Sequence, residues 1–157
     1  VSIMDVKLIN PFVEALLEVT ESMAQLTGEI GKPSIKVGDD AQGVVSGYIL
    51  LNSSSNNGSL SITFTEDVLL DIYQKMLGEP LEQLDDSAYD LVGEITNMVC
   101  GGAKRRLSEQ GLEFDLATPS IIKGEGHKVE HLDNKPVVVL PFTFEKGEIF
   151  IEVCLNR

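Results

Sequence analysis

The stretch from residue 86 to residue 107, DSAYDLVGEITNMVCGGAKRRL, constrains this 157-residue chain more than any other. At about 100° per residue, Ala88, Leu91, Val92, Ile95, Val99 and Ala103 gather on one side of a helix, and Ser87, Asp90, Glu94, Asn97, Gly101 and Lys104 form a narrow stripe opposite. Periodicity held this long predicts an amphipathic helix, and such a helix needs a second layer on which to bury its apolar side.

The polar stripe is unlike an ordinary solvated face, which carries long Lys, Glu and Gln chains in i,i+4 pairs. Gly93, Gly101 and Gly102 each cost about 1 kcal/mol relative to Ala inside a helix. Close approach by another surface is the expected reason. Glu94 and Asn97 stand three apart, so they are neighbours across one turn, and Gly101 leaves a notch beside them. A carboxylate and a carboxamide placed so can enter a partner's cleft together. By itself E-x-x-N is a common spacing that equally describes an inert surface pair.

An earlier helix is marked by Ile9, Phe12, Val13, Leu16, Leu17, Met23 and Leu26. It starts either at Asn10, with Pro11 in the first helical position, or near Asp5, and Gly28 is its expected stop. From Ser34 the period becomes that of strands. Residues 44–51 and 60–64 flank SSSNNGS, whose Asn57-Gly58 predicts the turn of an antiparallel hairpin. Thr65 then caps a short helix closed by Gly78 and Pro80, and an acidic link leads into the long helix, which ends at Gly111. Strands are expected at 120–123, around 128–132, at 137–144 and at 148–155, with a turn at Lys146-Gly147. The order predicts an α+β fold: an antiparallel-rich sheet with two long helices packed on it, in two pseudo-repeated halves, within a single domain spanning 1–157.

A formal charge of −13 argues against nucleic acid and anionic membranes as partners, because both need Lys and Arg to neutralise phosphate. No secretory leader or apolar span is evident, so a cytoplasmic protein is expected. Cys100 and Cys154 are too few for a disulfide framework and read as small buried residues. His127-x-x-x-His131 would share a metal only on a helix; the nearby glycines favour strand or turn, so no metal site is expected. Phosphate-loop, G-x-S-x-G, H-E-x-x-H and C-x-x-C motifs are missing. Any chemistry here completes a site that lies mostly on another molecule.

The pattern Asp90-x-x-x-Glu94-x-x-Asn97, with Gly93 before the acid and Met98 after the amide, resembles the signature of the CheX/CheC family of chemotaxis phosphatases. The glycine-led segment 58–64, the helix end Lys75-Met76-Leu77-Gly78 and the Thr118-Pro119 junction are similar to the same family. CheC-type members carry the signature on two helices and CheX-type members on the second alone. Here no Glu of the first helix has an Asn three residues on, so the likeness is to CheX, and no exposed acid–amide cluster is expected on that helix.

The resemblance implies a phosphatase acting on the phospho-aspartate of a CheY-type response regulator. It implies no cofactor of the chain's own, the Mg²⁺ being held by the regulator. Asn97 would orient the attacking water and Glu94 would pair with the regulator's lysine. Asp90, Met98, Gly101 and Lys104 are the further partner-binding positions on or beside the stripe, and a homodimer is implied. The alternative is a non-catalytic module related to flagellar switch proteins, which docks CheY or motor proteins without the acid–amide pair.

Overall fold

The computed structural model describes residues 6–53, 57–131 and 135–156. The first part of the chain contributes α1 (Val6–Ala24), β1 (Glu29–Ile30), β2 (Ser34–Ile35), β3 (Val45–Asn52), β4 (Asn57–Phe64) and α2 (Glu66–Leu77). The second contributes α3 (Asp86–Ser108), β5 (Asp115–Leu116), β6 (Ser120–Lys123), β7 (Val138–Thr143) and β8 (Glu148–Asn156). All strands join one antiparallel sheet in the order β1-β7-β8-β4-β3-β5, with β2 also on β7 and β6 also on β3. Each half is thus a long helix, two short strands and a longer hairpin. The halves join through β4 and β8, and each lends its short strands to the third strand of the other. The α+β class and the repeated halves match the sequence expectation.

Alternation sorts the sheet into two faces. Val45, Ile49, Leu60, Ile62, Phe64, Leu140, Ile149 and Ile151 are buried on the face that the helices cover. α3 lies against β3 and β6, while α1 packs chiefly along α3 and reaches α2. Leu16 of α1 is fully buried, and Leu17 is half-buried against the same apolar cluster.

Two contacts set the height of α3. A Cβ on Gly47 of β3 would overlap Thr96 Oγ1, so only glycine lets the helix come this close. Where α1 crosses, a Cβ on Gly102 would stand 3.1 Å from Ala15 Cβ. Asp85 opens α3 by accepting a hydrogen bond from the Ala88 N–H at 3.2 Å.

Four local expectations are corrected. Pro11 lies inside α1 rather than at its first position, which removes the start at Asn10; Asp5 lies outside the described residues. The Lys7 carbonyl that Pro11 leaves without a donor accepts the Gln110 side-chain N–H at 3.0 Å. α1 also stops at Ala24, before Gly28, because Gln25 turns left-handed (φ 52°), and the Gln25 and Leu26 N–H groups bond back to Glu21 and Thr20.

Asn57-Gly58 is not the hairpin turn. Asn57 pairs with Asn52 and Gly58 with Leu51, inside β4, and a Cβ on Gly58 would lie 2.7 Å from Leu155 Cδ2. That glycine answers to packing against β8.

Around 128–132 there is one isolated bridge, Asp40 with Lys128, rather than a strand, and Leu132 lies outside the described residues. Side chains, not a ladder, hold this segment to the second face of the sheet. His127 Nδ1 donates to the Gly124 carbonyl at 2.7 Å, and its Nε2 lies 2.7 Å from Ser46 Oγ. His131 Nε2 donates to Glu152 Oε1 at 2.9 Å, with Ser59 Oγ 2.7 Å from its Nδ1. Lys36 Nζ reaches the same Glu152 oxygen at 2.8 Å, and the Lys36, Glu152 and His131 side chains are all nearly buried. The two histidines serve different strands.

Candidate functional site

The polar stripe of α3 faces outward. Asp90, Glu94 and Asn97 are exposed, one turn after another, while Leu91, Ile95 and Val99 behind them are buried. Among the described residues, Asp90, Glu94 and Asn97 have no side-chain hydrogen-bond or ion-pair partner within the chain. An acid and an amide are therefore held on a helix fixed at Gly47 and Gly102, with their polar atoms still available. Preorganised groups of this kind are what a shared active site requires of its second component.

The glycines divide by purpose. Gly102 serves the crossing with Ala15, whereas Gly93 is beside Ile121 of β6, 3.6 Å from its Cδ1 to the position of an added Cβ. Gly101 has nothing within 4 Å of such a Cβ. It keeps the surface low beside Asn97, as the notch read from the sequence requires.

The remaining predicted positions fare differently. Met98 is half-buried and packs against the core, so only part of it reaches the surface. Lys104 stays on the stripe, its Nζ 4.0 Å from an exposed Asp115 carboxylate, a contact of little energy. Its neighbours in the basic cluster turn away. Arg106 donates to the Gly102 carbonyl at 3.1 Å and to Glu18 of α1 at 2.9 Å, and Arg105 leans toward the same carboxylate at 3.8 Å.

The first helix departs from expectation. Asn10 and Glu14 are both exposed and one turn apart, so an amide and an acid do share a face of α1. Their order is reversed and their spacing is four. They line an open cleft of about 540 Å³ with Lys7, Arg105, Arg106 and Glu109, a charge setting that the α3 stripe lacks. Reading only Glu-x-x-Asn spacings overlooked the reversed pair.

β6 supplies what the sequence did not reveal. Lys123 Nζ lies 4.3 Å from the centre of the Tyr89 ring, at the edge of the stripe. Nothing local in the chain links residues 89 and 123; the β3–β6 pairing brings them together.

Cys100 is buried, and burial pushes its thiol up to about 12, so it stays protonated and is no nucleophile at neutral pH. Among the described residues no three His, Cys, Asp or Glu side chains converge as a metal site, and no helix is long and apolar enough to cross a membrane.

The chain is thus a helix-backed antiparallel sheet that presents an acid–amide pair, unpartnered among the described residues, on an outward helix face. Comparison with known proteins names the family. The family model for chemotaxis phosphatase CheX matches residues 45–143, and the chain belongs to that family. A CheC-like superfamily protein from Shewanella sp. PV-4 is 45% identical, with a TM-score of 0.93 over 98% of this chain and 100% of that one. The CheY-P phosphatase CheX of Thermotoga maritima is 24% identical over 132 residues, 81% of this chain and 82% of that protein. A structure of a CheX–CheY–BeF3–Mg²⁺ complex from Borrelia burgdorferi matches at 25% identity and a TM-score of 0.79, covering 95% and 97% of the two chains.

Proposed function

We propose that this protein hydrolyses the aspartyl phosphate of a CheY-type response regulator by inserting the Glu94/Asn97 face of α3 into the regulator's phosphorylation site. One observation carries the reading: both side chains are exposed and unpartnered among the described residues, on a helix whose position is fixed from behind. The family and the relatives named above, a CheY-P phosphatase among them, support it.

In the reaction a water oxygen attacks phosphorus and the bond to the aspartyl carboxylate breaks, returning a free carboxylate and inorganic phosphate. Such transfer depends mainly on positioning and charge stabilisation. The Asn97 carboxamide accepts a hydrogen bond from the water through Oδ1 and donates through Nδ2, holding the nucleophile in line without exchanging a proton with it. Glu94 pairs with a lysine at the regulator's site and sets the register of the helix. Asp90, one turn away, extends the contact, and Gly101 leaves room beside the amide. The Mg²⁺ belongs to the regulator, where it neutralises phosphoryl charge; this chain contributes side chains only. The protein works in the cytoplasm, where its regulator is, as a homodimer.

A docking module would use the same face, so binding alone does not decide between the readings. The test is phosphate release from a phosphorylated CheY-type regulator with Mg²⁺, timed with and without the protein. Release accelerated at substoichiometric protein supports catalysis; tight binding with unchanged release leaves only docking.

A further inference from the structure

β6 runs antiparallel alongside the N-terminal half of α3, with Ile121 beside Gly93 and Lys123 beside Tyr89. It forms one rim of the exposed stripe, and Lys123 stands level with the turn that carries Asp90.

Lys123 is held by a ring rather than by a carboxylate. With 25 acidic and 12 basic residues, many cations of this chain have a carboxylate beside them. Lys36, Lys75, Lys104, Arg105, Arg106 and Lys128 each have one within 4.0 Å. Lys123, like Lys32, Lys135 and Lys146, has none among the described residues, but Lys123 is exposed at the rim of the stripe and lies over an aromatic face. A ring fixes an ammonium without cancelling its charge, so the cation stays available to a second partner.

The partner implied above has a particular need for such a cation. A site that binds Mg²⁺ beside an acyl phosphate does so with carboxylates, so its rim is acidic. The entering stripe carries Asp90 and Glu94 on a chain of net charge −13, and like charges meeting across an interface oppose docking. We propose that Lys123, held by Tyr89, is the docking cation that receives a carboxylate at the rim of the receiver domain's phosphorylation site. This rests on the phosphatase reading and adds to it the residue that admits an acidic helix to an acidic cleft.

The test uses a CheY-type regulator loaded with beryllofluoride and Mg²⁺ for affinity, and the phosphorylated regulator for turnover. Lys123→Glu should weaken affinity about tenfold or more at low salt and flatten its salt dependence, with turnover at saturating regulator unchanged. Lys146→Glu, in the β7–β8 turn, makes the same change in net charge and should leave affinity within about twofold. Tyr89→Phe keeps the ring and should behave as wild type, while Tyr89→Leu should weaken affinity in part. If wild type binds and Lys123→Glu binds equally well, or if Lys146→Glu weakens binding as much, the docking role of Lys123 is wrong while the phosphatase reading stands. If wild type neither binds nor accelerates release, both fall.

Discussion

Thr96 of α3 stands over Gly47 of β3 so closely that a methyl group on Gly47 would overlap the threonine hydroxyl and lie 3.3 Å from Val92 Cγ1. Thr96 is also held to its own helix, donating to the Val92 carbonyl at 2.8 Å. The contact fixes how far the next residue, Asn97, projects from the sheet.

Gly47→Ala should therefore push α3 outward, with a loss of about 1–3 kcal/mol in chemical denaturation, the range for overpacking a tight core. Activity should fall with it. Adding Thr96→Ala should recover part of the stability, since the clash then loses its larger partner; a single mutant that melts like wild type would mean α3 is not seated by this contact.

On the other face of the sheet, Glu152 governs the dependence of stability on pH. Burial alone would raise its carboxyl, but hydrogen bonds from His131 and Lys36, with their charges, outweigh burial and hold it below its usual 4.5. A carboxyl lowered in the folded state stabilises fully above that usual value and stops doing so as pH falls through the lowered one. Glu152→Gln, which leaves the buried Lys36 ammonium unpaired, should cost about 3 kcal/mol at pH 7. The gap from wild type should narrow in urea melts taken below about pH 4.5, as the wild-type carboxyl protonates. A gap constant between pH 7 and pH 3 would contradict this role.

Much of this was legible in the sequence, for a physical reason in each case. The stripe of α3, the span of α2 and the limits of β6 follow from local periodicity and from the Gly78 stop, which a linear reading registers; Thr65 precedes α2 as expected, but its hydroxyl bonds to the Glu148 backbone and makes no capping bond. What was misread depends on distant partners. Pro11 sits inside a helix because Gln110 supplies the missing donor, and Gly58 is a strand residue because Leu155 crowds it. The exchange of short strands between halves, and with it the meeting of Lys123 and Tyr89, exists only once the sheet is assembled.

The reversed pair on α1 offers a test of how many sites act. If α3 alone is productive, Asn10→Ala with Glu14→Ala should leave phosphate release within about twofold of wild type, as expected for exposed positions outside the site. A loss comparable to that from removing Asn97 would make α1 a second site.

Homodimer formation should be visible by sedimentation at micromolar concentration as the mass of two chains. Ile35 and Val37 stand exposed near the sheet edge, Val37 at 95%, and Ile35→Glu with Val37→Glu should reduce the mass to one chain without lowering the melting point. A wild-type mass of one chain would count against the dimer.

The most direct measurement compares Asn97→Ala and Glu94→Ala in phosphate release and in affinity for a beryllofluoride-loaded regulator. If Asn97 acts on the water in the transition state, its removal should cut the rate by about 10²–10³-fold and leave affinity nearly intact. Glu94→Ala should weaken affinity as well as turnover, and both variants should melt like wild type, since both side chains point away from the core. An Asn97→Ala protein that releases phosphate at the wild-type rate would contradict the account at its centre.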